Sequence, residues 1–164
     1  MSLADREGGS TQEEPGIAPG DSLPKLSTGS ASRTEWRGAT VEINEIKRSS
    51  TGSYASLTWT LINESDSTIN LGEMRNRTYY YKGSHDGSGV VLIDEENSLR
   101  HNPFIDSQGK CLCAGSEHAP LKFELLTEPG ESTTYWASYQ LSEDTETVTV
   151  EIPGFLPIKD VPVG

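Results

Sequence analysis

The most chemically distinctive residues of this 164-residue chain are Cys111 and Cys113, its only two cysteines. In an extended backbone, residues two apart point to the same side, so both sulfurs emerge together while Leu112 faces the opposite way. Their Cα atoms would then lie about 6.6 Å apart, near the upper limit for a disulfide, so a bridge needs a local bend. The pair is therefore a candidate disulfide, metal site or redox centre.

These alternatives differ in what they require of the surroundings. A structural disulfide between Cys111 and Cys113 would staple a loop in an oxidising compartment. Soft thiolates also select Cu(I) or Zn(II), and His118 downstream and His101 upstream each offer an imidazole ligand. Redox catalysis has less support, because the spacing is C-x-C rather than C-x-x-C in a βαβ setting. Inert thiols are the remaining interpretation.

A run of three tyrosines, Tyr79, Tyr80 and Tyr81, is the second group of interest. In a strand, Tyr79 and Tyr81 share one face and Tyr80 lies on the other, so at least one ring should be exposed. Exposed tyrosines suit a contact surface for a protein or a glycan, although ordinary sheet packing explains the same pattern. We expect these three tyrosines and Trp136 to form a partner surface.

No motif indicates catalysis. The G-x-S-x-G, H-E-x-x-H, P-loop and G-x-G-x-x-G patterns are absent from the sequence. Ser84, His85 and Asp86 are neighbours in one loop, and such neighbours rarely point at each other as a triad does. We therefore expect a non-enzymatic protein without a cofactor. With 13 Lys and Arg against 25 Asp and Glu, the formal net charge is −12, which disfavours nucleic acids and anionic membranes as partners.

The elements that must position these residues are strands. Ala55, Leu57, Trp59 and Leu61 alternate with polar residues, as in a strand with one buried face. No segment of ten or more residues has helical periodicity. We therefore predict an all-β, immunoglobulin-like sandwich of about seven to nine strands in residues 36–164. Further strands are predicted at residues 40–46, 78–81, 89–94, 99–102, 133–141 and 147–152, and an extended strap across a sheet edge at residues 153–163.

Residues 1–35 contain no aromatic residue, and their apolar residues follow no period. Such a segment cannot bury enough apolar surface to offset its conformational entropy, so we predict a disordered linker rich in Gly, Ser and Pro. No stretch of about 18 apolar residues is present, so we predict no membrane span. The linker would suit a tether behind a signal or lipid anchor.

Several stretches together resemble a group of exported actinobacterial proteins. In that group a signal or lipid anchor and a Ser/Gly-rich linker precede an immunoglobulin-like sandwich, sometimes beside an OmpA-like peptidoglycan-binding domain. The C-x-C run and the segment Asp160-Val161-Pro162 are the most specific part of the resemblance, which covers roughly residues 40–163. The other matching stretches are residues 89–94, 106–110, 129–132, 135–137 and 148–153.

The resemblance implies an extracytoplasmic protein, secreted or attached to the cell envelope, that binds or positions a protein or cell-wall component. An oxidising envelope would favour the disulfide between Cys111 and Cys113. The resemblance brings no catalytic residues. This chain contains no OmpA-like domain, and neither His118 nor the tyrosine run is a feature of the group.

Overall fold

The computed structural model describes residues 23–51, 53–82, 85–115 and 124–164. Within these ranges the chain is built from antiparallel strands, and helix is confined to two short 3₁₀ segments, Thr34–Trp36 and Leu71–Met74. The predicted all-β class is confirmed. No helix in these ranges is long and apolar enough to cross a membrane.

Ten strands are assigned in the described residues. They are β1 (Ser27–Ser30), β2 (Thr40–Arg48), β3 (Tyr54–Ile62), β4 (Ile69–Asn70), β5 (Val91–Asp94), β6 (Leu99–His101), β7 (Leu126–Thr127), β8 (Ser132–Gln140), β9 (Thr147–Glu151) and β10 (Ile158–Pro162). One sheet has the order β1-β2-β3-β8 and a second the order β10-β9-β5-β6. The two shortest strands, β4 and β7, pair with each other.

A single cluster of buried side chains draws on both larger sheets. The alternating residues of β3 that were predicted to face inward are all buried, and Trp59 packs its ring 5.1 Å from that of Tyr135 in β8. Val148 and Val150 of β9 contribute the buried side chains of the second sheet. Two antiparallel sheets that share a core are consistent with a β-sandwich.

The boundary predicted for the N-terminal linker is corrected by the structure. Ser27–Ser30 pairs antiparallel with β2, and Trp36 is buried under Phe155, so the predicted linker boundary at residue 35 is too late. Composition misses this strand because its four small residues are held by backbone hydrogen bonds to a neighbour rather than by apolar side chains of their own. Residues 1–22 of the predicted linker lie outside the described residues.

The strand predicted at residues 78–81 is wrong. The side-chain oxygen of Asn76 accepts hydrogen bonds from the backbone amides of Thr78 and Tyr79, at 3.0 and 2.7 Å. These bonds turn the chain locally, because an Asn side chain competes with sheet pairing for nearby amides. The tyrosines therefore lie in a loop that leads to Lys82, whose amide donates to the carbonyl of Gly109.

The C-terminal tail runs along a sheet edge, as predicted. Strand β10 is the outermost strand of its sheet and pairs only with β9. Just before it, the amide of Leu156 donates to the carbonyl of Ser30, and the carbonyl of Gly154 accepts from the amide of Ser32. Backbone hydrogen bonds thus join the two sheets along the side where β1 and β10 meet.

Candidate binding groove

The opposite side of the molecule is open. There the edge strand β6 and the segment after it, residues 99–105, lie across from residues 140–143 at the end of β8. The groove between them has a volume of about 640 Å³, and Tyr79 and Tyr81 also line it. This volume is in the range typical of ligand-binding sites.

The tyrosines divide into three roles. Tyr81 is 4% exposed, donates its hydroxyl to the carbonyl of Pro103, and packs edge-on against Tyr79 with ring centres 5.0 Å apart. Burial raises the pKa of Tyr81, with a smaller contribution from Tyr79. Tyr79 is half-exposed on the groove wall. Tyr80 is 75% exposed and does not line the groove. The predicted grouping of Tyr79 with Tyr81 is therefore observed, although in a loop.

Trp136 is not part of the same surface. It lies half-buried in the middle of β8, opposite Thr58 of β3, and does not line the groove. The groove is therefore lined by Tyr79 and Tyr81 but not by Tyr80 or Trp136. Sequence alternation cannot reveal this, because the grouping depends on how the loop after Asn76 folds over the sheet.

The groove has further apolar walls that sequence reasoning missed. Leu99 is 47% exposed at the start of β6, and Ile105 is 42% exposed in the segment that follows. Phe104 lies between the groove and a second recess of about 380 Å³, where its ring centre is 5.1 Å from that of Tyr54. Exposed large apolar side chains that cluster in this way mark interaction sites more often than isolated ones do.

His101 also lines the groove. Its Nε2 atom is buried and has no hydrogen-bond partner among the described residues. Burial lowers the pKa of His101, an effect opposed by the nearby carboxylate of Asp94. The carboxylate of Asp94 itself accepts hydrogen bonds from the side chains of Asn97 and Thr145, both at 2.9 Å, and these bonds lower its pKa. At neutral pH the groove therefore contains a neutral imidazole.

The two cysteines form a disulfide, which confirms the structural prediction for them. Cys111 and Cys113 are both buried and bonded to each other, with Cα atoms 5.3 Å apart. This Cα separation is shorter than that of an extended strand, so the chain bends locally here, as predicted. Because each sulfur is bonded to the other, neither is a thiolate available to a metal in this state.

The disulfide segment is hydrogen-bonded to the groove wall at Phe104. The amide of Leu112 donates to the carbonyl of Phe104 at 2.8 Å, and the carbonyl of Leu112 accepts from the amide of Ser138 in β8 at 3.1 Å. The amide of Ala114 likewise donates to the carbonyl of Trp136. The bridged segment is thus clamped between β8 and the groove wall at Phe104.

The metal site predicted at Cys111, Cys113 and His118 lies only partly within the described residues. His118 lies outside the described residues. Among the residues that the structure describes, no three His, Cys, Asp or Glu side chains are grouped so that they could hold a metal ion. His101 lies in the groove and is enclosed there.

No protein-family model, curated protein or solved structure matches this chain.

Proposed function

We propose that this chain is a non-catalytic binding module that acts outside the cytoplasm, secreted or attached to a cell envelope. Its contact surface is the open groove between residues 99–105 and residues 140–143. The observation that carries the proposal is the combination of a recess of about 640 Å³ with exposed apolar walls at Tyr79, Leu99 and Ile105. Such a recess is the default binding site of a small domain.

The walls of the groove are preorganised. Leu99 belongs to a paired strand, and Phe104 is hydrogen-bonded to both Ser138 of β8 and Leu112 of the bridged segment. Tyr81 fixes the chain between them through its hydrogen bond to the carbonyl of Pro103. A ligand that enters rigid walls loses less free energy to ordering of the protein than one that must organise a loop.

The polar groups of the groove support binding rather than chemistry. The hydroxyl of Tyr81 is already committed to a backbone carbonyl, and its raised pKa keeps it protonated. The Nε2 atom of His101 is enclosed, so it does not reach a bound molecule without rearrangement. General acid or base catalysis needs a titratable group within hydrogen-bond reach of the substrate, and these two groups serve the fold instead.

The setting outside the cytoplasm is supported by the disulfide and by the resemblance to exported actinobacterial proteins. A disulfide between Cys111 and Cys113 persists in an oxidising compartment and is rare in a reducing one. We also propose the immunoglobulin-like version of the sandwich, because the groove-bearing domain carries the stretches that resemble that group. On this proposal, the domain binds or positions a protein or a cell-wall component.

The proposal is tested by comparing two tyrosine variants in capture experiments with a cell-envelope extract. Tyr79→Ala removes an aromatic ring that lines the groove, whereas Tyr80→Ala removes a more exposed ring outside the groove. We expect a component retained by the wild type to be lost with Tyr79→Ala and kept with Tyr80→Ala, with both variants folded by circular dichroism. Loss of the component only with Tyr80→Ala or Trp136→Ala would show that the binding surface lies outside the groove.

A further inference from the structure

The groove is bordered by two strand edges that no described strand covers. Strand β6 is the last strand of its sheet and pairs only with β5, so its outer backbone groups face the groove. Unpaired edge groups are a template for a further strand. On the other side of the molecule, backbone hydrogen bonds from Leu156 to Ser30 and from Ser32 to Gly154 join the two sheets where β1 and β10 meet.

The edge of β8 becomes free at the groove. Along its outer side, the carbonyls of Trp136 and Ser138 accept hydrogen bonds from Ala114 and Phe104. Backbone groups that point to the same side of a strand recur every second residue, so those of Gln140 point outward as well. The hydrogen bonds from residues 104–114 to the outer edge of β8 extend only as far as Ser138. No backbone group of the described residues therefore bonds to Gln140 on this side.

The charges at the groove favour a basic partner. Arg100 is paired with Glu151 of β9, with 3.2 Å between the guanidinium nitrogen and the carboxylate oxygen. His101 has a lowered pKa and is neutral at neutral pH. Glu143 is exposed on the rim and has no cationic partner among the described residues. Beside it, a hydrogen bond from Ser142 lowers the pKa of Asp144, and so does the charge of Arg48, whose guanidinium donates to the carbonyl of Ser142 at 2.8 Å. The whole chain carries a net charge of −12.

We infer that the groove binds an extended peptide, which adds as a strand to β6 and places a Lys or Arg side chain beside Glu143. Alternate side chains of such a peptide face the groove, where Leu99, Tyr79 and Ile105 receive apolar groups. Main-chain hydrogen bonds to the edge supply affinity, and the apolar walls and Glu143 supply selectivity. This inference rests on the proposed binding function and specifies its ligand.

The test is selection from a fully randomised heptapeptide library displayed on phage, followed by binding of the enriched peptides in synthetic form to the full chain labelled with ¹⁵N. We expect enriched sequences with apolar residues at alternate positions and at least one basic residue. Chemical shift changes should centre on residues 99–102 and 140–143. Methylation of alternate peptide amides should weaken binding by about tenfold or more, because it removes the strand hydrogen bonds.

A charge reversal with a matched control tests the role of the rim. Glu143→Lys should lower the affinity for basic peptides by about fivefold, which corresponds to roughly 1 kcal/mol at an interface rim. Glu64→Lys makes the same change at an exposed site that does not line the groove, and we expect it to leave binding within twofold, because long-range effects are screened by salt.

Three results would overturn the inference. They are no enrichment over the bare support, binding that N-methylation leaves unchanged, and a preference for acidic peptides. A soluble N-acetylglucosamine oligomer is titrated in parallel. If it shifts the groove resonances while no peptide does, the ligand is a glycan: the peptide inference fails and the proposed binding function stands. If neither probe binds and capture ignores Tyr79→Ala, both proposals fail.

Discussion

The amide of Leu112, which lies between the two bridged cysteines, donates a 2.8 Å hydrogen bond to the carbonyl of Phe104 in the groove wall. This bond links the groove wall directly to the bridged segment. On the other side, Leu112 accepts from Ser138, so the bridged segment also reaches the sheet. Cys111 and Cys113 are buried, and reduction would release a segment that the surrounding structure still encloses.

Removal of the bridge should therefore loosen the groove more than it destabilises the whole domain. Because the bridge closes a ring of only three residues, the chain-entropy model gives a loss of about 1.5 kcal/mol in the free energy of unfolding for Cys111→Ala with Cys113→Ala. Hydrogen exchange at the amides of Phe104 and Leu112 should accelerate, while that of Trp59 in the central strand β3 follows global stability only. Unchanged exchange at Phe104 would show that the wall does not depend on the bridge.

Intact mass spectrometry distinguishes the disulfide from the metal alternative. Freshly purified protein should be lighter than the reduced chain by two hydrogens and should resist alkylation until a reductant is added. Offered Cu(I) or Zn(II), the oxidised chain should retain no stoichiometric metal, because both sulfurs are bonded to each other. Free thiols that hold one metal ion, and lose it with His118→Ala, would instead support metal handling through Cys111, Cys113 and His118.

Two of the buried tyrosine hydroxyls, those of Tyr81 and Tyr139, should each contribute to stability. Tyr139→Phe removes a donor that lies 2.6 Å from the carbonyl of Val90, and Tyr81→Phe removes the donor to Pro103. We expect each to lower the free energy of unfolding by about 1–2 kcal/mol in urea denaturation, because a buried carbonyl loses its partner. Tyr80→Phe is the control, since its exposed ring makes no such bond, and a loss of similar size there would contradict the assignment.

The same tyrosines predict loss of stability at high pH. Burial raises the pKa of both Tyr81 and Tyr139 above the value of about 10 expected in the unfolded chain. The unfolded state therefore gives up these protons first. Their stabilisation is complete below pH 10 and is lost as the pH rises above it. Urea unfolding on either side of pH 10 checks this, and Tyr81→Phe should show a smaller decrease than the wild type.

His101 predicts a separate loss of stability on mild acidification. Burial lowers its pKa in the folded state below the unfolded value of about 6.5, so the unfolded chain binds the proton first as the pH falls. Stability from this group is complete above about pH 6.5 and falls below it until the folded pKa is reached. Asp94, whose pKa is lowered, adds a further loss only below the unfolded value of about 3.9.

The variant His101→Gln isolates the first of these two windows, because glutamine does not titrate. We expect its free energy of unfolding to depend less on pH between neutrality and pH 5 than that of the wild type, and NMR titration of His101 should give a pKa below 6.5. A histidine pKa above the unfolded value would contradict the buried, unpartnered position of Nε2.

Gly154 lies where the two sheets are joined, since its carbonyl accepts a hydrogen bond from the amide of Ser32. This residue has a φ of 89°, and an added Cβ would lie 2.3 Å from the ring of Trp36. We expect Gly154→Ala to lower the free energy of unfolding by about 2–4 kcal/mol, since it combines backbone strain with overpacking. Gly130→Ala is the matched control: its φ is 88° but nothing lies within 4 Å of an added Cβ, so the loss should be about 1 kcal/mol. Equal losses in thermal or urea unfolding would contradict the packing argument.

Much of the sheet structure follows from local pattern. The alternation of Ala55, Leu57, Trp59 and Leu61 predicts a strand with one buried face, and the structure confirms it, because side chains in a strand point to opposite faces in turn. The bridge between Cys111 and Cys113 is local in the same sense, since both residues lie within one short bend. Strand β1 cannot be predicted from local pattern, because its position depends on backbone hydrogen bonds to β2.

The sequence by itself determined the all-β class, the inward faces of the long strands, the acidic charge and the closeness of the two cysteines, because each of these depends on neighbours within a few residues. Only the tertiary structure decided that Tyr79 joins Leu99 and Glu143 around one groove while Trp136 stays outside it. These residues come from separate segments of the chain. Their meeting depends on sheet order and on which strand edge is left uncovered, and no local pattern encodes either.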